Sequence, residues 1–62
     1  MCDINAFVLN SNNEEKIMEN VDVVETQGEM VKLINIFGET KTLQGRIVSF
    51  DNSRKKMVLA VL

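Results

Sequence analysis

The stretch that most restricts the fold is the last one, Lys56-Met57-Val58-Leu59-Ala60-Val61-Leu62. Its β-branched residues mark it as a strand, and after Lys56 it contains no polar residue. A strand in a sheet with one wet face alternates apolar with polar side chains. This one does not, so both of its faces need cover. The domain core can supply one cover; a barrel wall or a second subunit must supply the other. Val58, Leu59 and Val61 are accordingly the residues expected at a subunit contact.

The preceding segments read as the remaining walls. Ile4-Asn5-Ala6-Phe7-Val8-Leu9 is a short apolar run of strand type. The turn formers Asn10-Ser11-Asn12-Asn13 follow it and predict a loop of about four residues. Glu14-Glu15-Lys16-Ile17-Met18-Glu19-Asn20 could make one helical turn capped by Ser11 or Asn12. An irregular strand is the preferred reading, because Asn20 and the β-branched run after it cut a helix short. Val21-Asp22-Val23-Val24-Glu25-Thr26 and Met30-Val31-Lys32-Leu33-Ile34-Asn35-Ile36-Phe37 flank Gln27-Gly28 and predict a tight hairpin. Neither parity of the second run is cleanly apolar, so it is expected to be buried on both faces or to carry a bulge.

Gly38-Glu39 predicts the next turn, and Thr40 to Phe50 a long strand interrupted by Gly45. Before the glycine the apolar residue is Leu43; beyond it Val48 and Phe50 move apolar weight to even positions. A glycine where the inward face changes is what a sharply bent barrel strand needs. Asp51-Asn52-Ser53-Arg54-Lys55 predicts the last turn. The sum is one all-β domain over residues 1–62, a small, strongly bent antiparallel barrel of five to six strands, SH3-like or Sm-like.

Size then raises the question of what holds such a domain together. A core in a chain of 62 residues rarely contributes more than ~3–5 kcal/mol, and small domains add disulfides, a metal or a partner chain. One cysteine allows no internal disulfide. A metal, a homodimer or both are therefore expected. The formal net charge of −2 gives no electrostatic drive toward nucleic acid or membrane. No apolar run reaches the ~18 residues of a spanning helix, and no leader is recognisable, so a cytoplasmic protein with a reduced thiol is expected.

Catalysis finds little to work with. The chain has no histidine, its single thiol has no neutral-pH base beside it, and its glycines form no phosphate-cradling loop. A non-enzyme is expected. RNA binding is the alternative. Leu43-Gln44-Gly45-Arg46-Ile47-Val48-Ser49-Phe50-Asp51 followed by Met57-Val58-Leu59 resembles the first signature of Sm-like RNA-binding proteins. The turn after Asp51 lacks the Met-Asn pair of that signature and has no aromatic or histidine to stack on a base. Arg54, Lys55 and Lys56 are the residues left to contact phosphates in that reading.

Cys2 is the remaining candidate. A terminal amine, the Cys2 amide nitrogen and the Cys2 sulfur can close two fused five-membered rings on one ion; without Met1 the Cys2 amine and sulfur still close one. Nitrogen with thiolate is a strong-field set that favours square-planar Ni(II) or Cu(II). One chain offers too few donors, whereas two chains about a two-fold axis offer two sulfurs and two nitrogens. Asp3 could lend its backbone nitrogen or its carboxylate.

The Met1-Cys2 opening, Val23-Val24-Glu25, Gly28, the run from Leu33 to Phe37, and Gly45 together resemble the CooT family of small nickel-binding accessory proteins. That resemblance implies a homodimer with one Ni(II) at its interface, held by Cys2 of each subunit and backbone nitrogens of the first residues. It also implies nickel delivery or storage, with carbon monoxide dehydrogenase as the client enzyme of the family's best-known members.

Overall fold

A computed structural model describes residues 3–62. The chain forms five strands: β1 (Ile4–Asn10), β2 (Asn13–Gln27), β3 (Met30–Asn35), β4 (Thr40–Asp51) and β5 (Lys56–Val61). They close into a barrel in sequence order. Each strand reverses on the one before it, so an odd number of strands brings the first and last together in the same direction. Four seams are antiparallel, and the closing seam between β1 and β5 is parallel, pairing Asn5 with Lys56 through Leu9 with Ala60. The expectation of an antiparallel barrel therefore holds everywhere except at the closure.

The two long strands are bent by extra residues. From Ile4 to Phe7 β1 takes three steps, while its partner β2 takes five, from Val21 to Lys16. A further slip against β3 falls between Val21 and Val23, and β4 slips against β5 between Ile47 and Ser49. Such bulges raise the local twist and let a strand serve two parts of a ring. Asn20, at the bend of β2, has a left-handed φ of 57°. Asparagine tolerates that region better than most residues.

The segment 14–20 is thus strand throughout, as preferred over the helical turn. The loop after β1 is tighter than expected: Asn10 pairs directly with Asn13, leaving a two-residue turn at Ser11-Asn12. The hairpin around Gly28 has Gln27 facing Met30 and a φ of 59° at Gly28. Its glycine stands at the first central position, where a type II′ turn requires it. β3 ends at Asn35, so Ile36 and Phe37 belong to a turn rather than to a doubly buried strand. Within β3 the burial is one-sided: Val31, Leu33 and Asn35 are inside.

Asn35 organises the turn that follows. Its side-chain oxygen accepts from the backbone N–H of Phe37 (3.0 Å) and of Glu39 (2.9 Å). Its amide donates to Glu39 Oε1 at 2.5 Å. A buried asparagine satisfied in this way turns the chain from β3 to β4 without leaving an orphaned polar group.

The barrel interior holds Ala6, Met18, Val21, Val31, Leu33, Met57 and Leu59, with Ile4, Ile17, Val24 and Leu43 packed against them. Ala6 faces Met18 on one side and Met57 on the other, so a small residue separates two flexible ones. Val58 is also buried, on the opposite face of β5, so the strand is covered on both sides from Met57 to Leu59, while Val61 and Leu62 at its end are exposed. That cover is intramolecular. Leu59 has no exposed surface at all, so Val58 and Leu59 are not free for a subunit contact, and of the three residues assigned to one only Val61 is exposed. Val48 and Phe50 depart from the inward positions expected of them and are 51% and 54% exposed. The shift of register comes at Val48, three residues beyond Gly45.

Gly45 has a different task. A Cβ built on it would lie 2.1 Å from the carbonyl oxygen of Ala60 on β5. Its N–H donates to Glu29 O at 2.7 Å, and the neighbouring Gln44 O accepts from Leu62 N at 2.9 Å. The glycine permits backbone-on-backbone contact where β4 passes from β3 to β5.

The turn between β4 and β5 is built on Asp51. Its Oδ1 accepts from Ser53 Oγ at 2.7 Å, from Ser53 N at 3.0 Å and from Arg54 N at 3.2 Å. The Ser53 hydroxyl, then the Arg54 amide, hold the Asp51 carboxyl below its ordinary range against the opposing effect of desolvation.

Two measurements check this account. Gly45→Ala is expected to destabilise by at least about 2–3 kcal/mol in urea unfolding, because the clash is with backbone. Gly28→Ala, at a glycine with open space around it, is expected to cost only about 1 kcal/mol, the penalty of an L-residue at positive φ. The Asp51 carboxyl, followed by NMR, is expected to titrate below the ordinary aspartate range, with Ser53→Ala moving the midpoint upward. Folding lowers this pKa, so the turn's contribution is complete above the unfolded-state value and fades as pH falls through the folded-state one.

Candidate metal centre

Residue 3 marks where the described chain approaches the proposed donors. Asp3 is exposed and lies just before β1. Cys2, the central residue of the metal reading, lies outside the described residues, as does Met1. Strand pairing fixes the start of β1 from both sides. Ile4 is the partner of Val21 on β2, and Asn5 is the partner of Lys56 on β5. Asn5 N also donates to Lys55 O at 2.9 Å. Each neighbour restrains a different edge of the strand, and Ala6, three residues beyond Asp3, is the first residue paired on both edges.

Among the described residues no group of three or more His, Cys, Asp or Glu side chains is placed to hold a metal ion. Of the expected donors only Asp3 is described, and a lone exposed carboxylate or backbone nitrogen cannot hold an ion by itself.

The three cations assigned to the RNA alternative do not act as one cluster. The Arg54 guanidinium is 3.7 Å from Asp51 Oδ2 and its side chain is 76% exposed. Lys55, at a φ of 53°, donates from Nζ to Asn52 Oδ1 at 3.1 Å. Lys56 leaves the turn altogether. Its ammonium lies 5.0 Å from the centre of the Phe7 ring and forms an ion pair with Glu14 on β2. That arrangement ties β5 to β2 across β1, a structural role that the sequence run Arg54-Lys55-Lys56 conceals.

A second polar site emerges that the sequence did not single out. Lys16, Ile17, Met18, Glu19 and Asn20 of β2 face Asn35, Phe37, Glu39, Thr40 and Lys41 across an open groove of about 490 Å³. Lys16 Nζ donates to Glu19 Oε2 at 2.6 Å, and this bond, followed by the lysine's charge, lowers the Glu19 carboxyl. Lys41 Nζ donates to the carbonyl oxygen of Ile17 at 3.2 Å. Phe37 stands 73% exposed at the rim. No run of sequence marks this groove, because its two banks, residues 16–20 and 35–41, lie apart in the chain.

Three comparisons bear on identity. The sequence profile of the CO dehydrogenase accessory protein CooT matches residues 1–60. An uncharacterised protein of Methanocaldococcus jannaschii, MJ1551, is 34% identical over 59 residues, covering 95% of this chain and 96% of its own. The crystal structure of a chain assigned as CooT from Carboxydothermus hydrogenoformans superposes with a TM-score of 0.89 at 30% identity, covering 98% of both chains. Length, strand order and sequence thus agree with one family from end to end, and the chain belongs to the CooT family of carbon monoxide dehydrogenase accessory proteins.

Proposed function

We propose that this chain is a nickel-binding metallochaperone: a cytoplasmic homodimer that holds one Ni(II) between its subunits and serves nickel delivery to carbon monoxide dehydrogenase or a related enzyme. The Cys2 thiolate of each subunit is the principal ligand, and backbone nitrogens of the first residues, with that of Asp3 as a secondary choice, complete the plane. The ion is cargo, and the chain performs no reaction on it.

The observation that carries this reading is the position of the chain's one cysteine. It is two residues before β1, whose first residues are paired on both edges, within a family match that starts at residue 1. A ligand close to a well-tethered strand loses little further freedom when it binds, and that supports a site at the N-terminal end. Thiolate and amide nitrogen together favour a square-planar ion, for which nickel is the natural cargo of an accessory protein to a nickel-dependent enzyme.

Surface apolar residues support the dimer. Phe50 on β4 is the partner of Met57, which in turn is the partner of Ala6 on β1. Phe50 therefore belongs to the end of the barrel where β1 begins, and Val48 lies two residues away on the same strand. A second copy packed over these side chains would bring the two N-terminal ends toward each other. That contact replaces the assignment to Val58 and Leu59.

Titration of the purified protein with Ni(II) is expected to give a sulfur-to-nickel charge-transfer band saturating at one ion per two chains. Cys2→Ser is expected to abolish the band without unfolding the barrel. No band in the wild type, or equal binding by the variant, would overturn the reading. Phe50→Asp is expected to weaken self-association by about tenfold or more in sedimentation equilibrium, with a parallel loss of nickel affinity, because an apolar contact near the centre of an interface is worth ~1–2 kcal/mol.

A further inference from the structure

The second half of β2 pairs with β3, but its first half does not. The β2–β3 register begins at Val21 with Asn35. Among the described residues, positions 13–20 have a strand on their β1 side and none on the other. The groove of about 490 Å³ opens on the later part of this free edge, from Lys16 to Asn20.

The hydrogen-bonding pattern shows what the edge offers. Asn10 and Asn13 close a two-residue turn and are therefore a hydrogen-bonded pair. In an antiparallel ladder such pairs alternate, so Glu15 directs its backbone at β1, while Glu14 and Lys16 direct N–H and C=O away from it. Two carbonyls beyond them are in use: Ile17 O accepts from Lys41 Nζ at 3.2 Å, and Asn20 O accepts from Ile36 N at 3.0 Å. The edge is a ladder with its next strand missing, closed at the bend and held by a lysine partway along.

We infer that this edge is a peptide-docking site: an extended segment of a partner protein adds a strand beside residues 14–17 of β2, with one acidic side chain meeting Lys41 and an apolar one covering Phe37. Backbone pairing of this kind gives affinity, and the alternate side chains give selectivity. The charge preference follows from the lysines. Lys16 is already matched by Glu19, whereas the Lys41 ammonium rests on a neutral carbonyl. A carboxylate is the better partner for that ammonium. Phe37, 73% exposed on the opposite bank, provides the apolar contact.

Lysine on a sheet edge is also a common guard against unwanted pairing. Here the two roles are successive: Lys41 occupies the ladder until a carboxylate draws it off. The site makes no use of Cys2 and stands independently of the nickel reading.

The test is an NMR titration of the ¹⁵N-labelled full chain with the blocked peptide Ac-Thr-Val-Glu-Val-Thr-Val-amide. Shifts are expected at residues 14–17, 37 and 41, with slowed hydrogen exchange at the Glu14 and Lys16 amides. Lys41→Glu is expected to weaken binding about threefold, and the peptide with Lys in place of Glu to recover it. Cys2→Ser is expected to bind the peptide as the wild type does, which separates this surface from the metal site. The inference is overturned by the absence of shifts up to about 5 mM, the weak limit for a specific contact. Shifts centred on Phe7 and Val58 would overturn it too, as would undiminished binding of a peptide N-methylated at alternate residues. Peptide-free, concentration-dependent broadening of residues 14–17 would show a second copy on the edge and overturn the choice of partner.

Discussion

The parallel seam between β1 and β5 is the constraint on which the molecule depends. Five strands that reverse in turn can close only by setting the first beside the last in the same direction, and here they do so over five residue pairs. Closure removes the edges of both terminal strands. It also explains how a strand with no polar residue after Lys56 is tolerated in so small a domain. Met57 and Leu59 enter the barrel, and Val58 is covered on the other face. Ala6, Leu33 and Leu59 have no exposed surface, so the interior is continuous from the seam to the far wall.

Bending is the condition for that closure. Most of the slips in register fall on β2, and the remaining one is on β4, the other long strand. Each extra residue turns the strand further than pleating alone allows. At Gly45 the limit is reached differently, through an approach to the Ala60 carbonyl that no side chain would survive. The bend in β2 has a further effect. Because its second half follows β3, its first half is carried away from that strand, and the gap between them becomes the groove. Strand geometry thus creates both the closed core and the open half-edge beside the groove.

The sequence makes some of this legible and hides the rest for identifiable reasons. The β class, the hairpin at Gly28 and the two-sided burial of β5 follow from local patterns that the fold respects. Gly45 is readable as a special position in β4, yet the inward face changes three residues later, at Val48, and the glycine serves a close backbone approach instead. The charged run Glu14-Glu15-Lys16 is harder, since alternation fails where a strand has a neighbour on one side only and its faces are wet. Val48 and Phe50 mislead because a bulge is a property of two strands, visible only in the pairing of Ile47 with Leu59 and Ser49 with Val58. Asn35 looks like an interruption of an apolar run, yet its hydrogen bonds end the strand. Lys56 reads as part of a basic cluster until its pairing with Glu14 removes it. The thiol was legible as an oddity of position, whereas the groove had no sequence signal because its two banks lie on separate strands.

The geometry also constrains how such a carrier could serve a client enzyme. An ion held at the N-terminal end, as proposed, would be released there, and recognition of a client would benefit from a contact that does not compete with it. The start of β1 and the unpaired half-edge of β2 would meet these two demands on different parts of the barrel. Glu14 belongs to the edge and is also bound to Lys56, whose β-partner on β1 is Asn5. That ion pair and the Phe7 ring beneath the lysine form a direct mechanical link between the edge and the strand carrying the N-terminus. A strand added beside Glu14 would act on a side chain already engaged with that link. That ion pair lies outside the core, so a strand docked on the edge would leave the barrel interior unchanged.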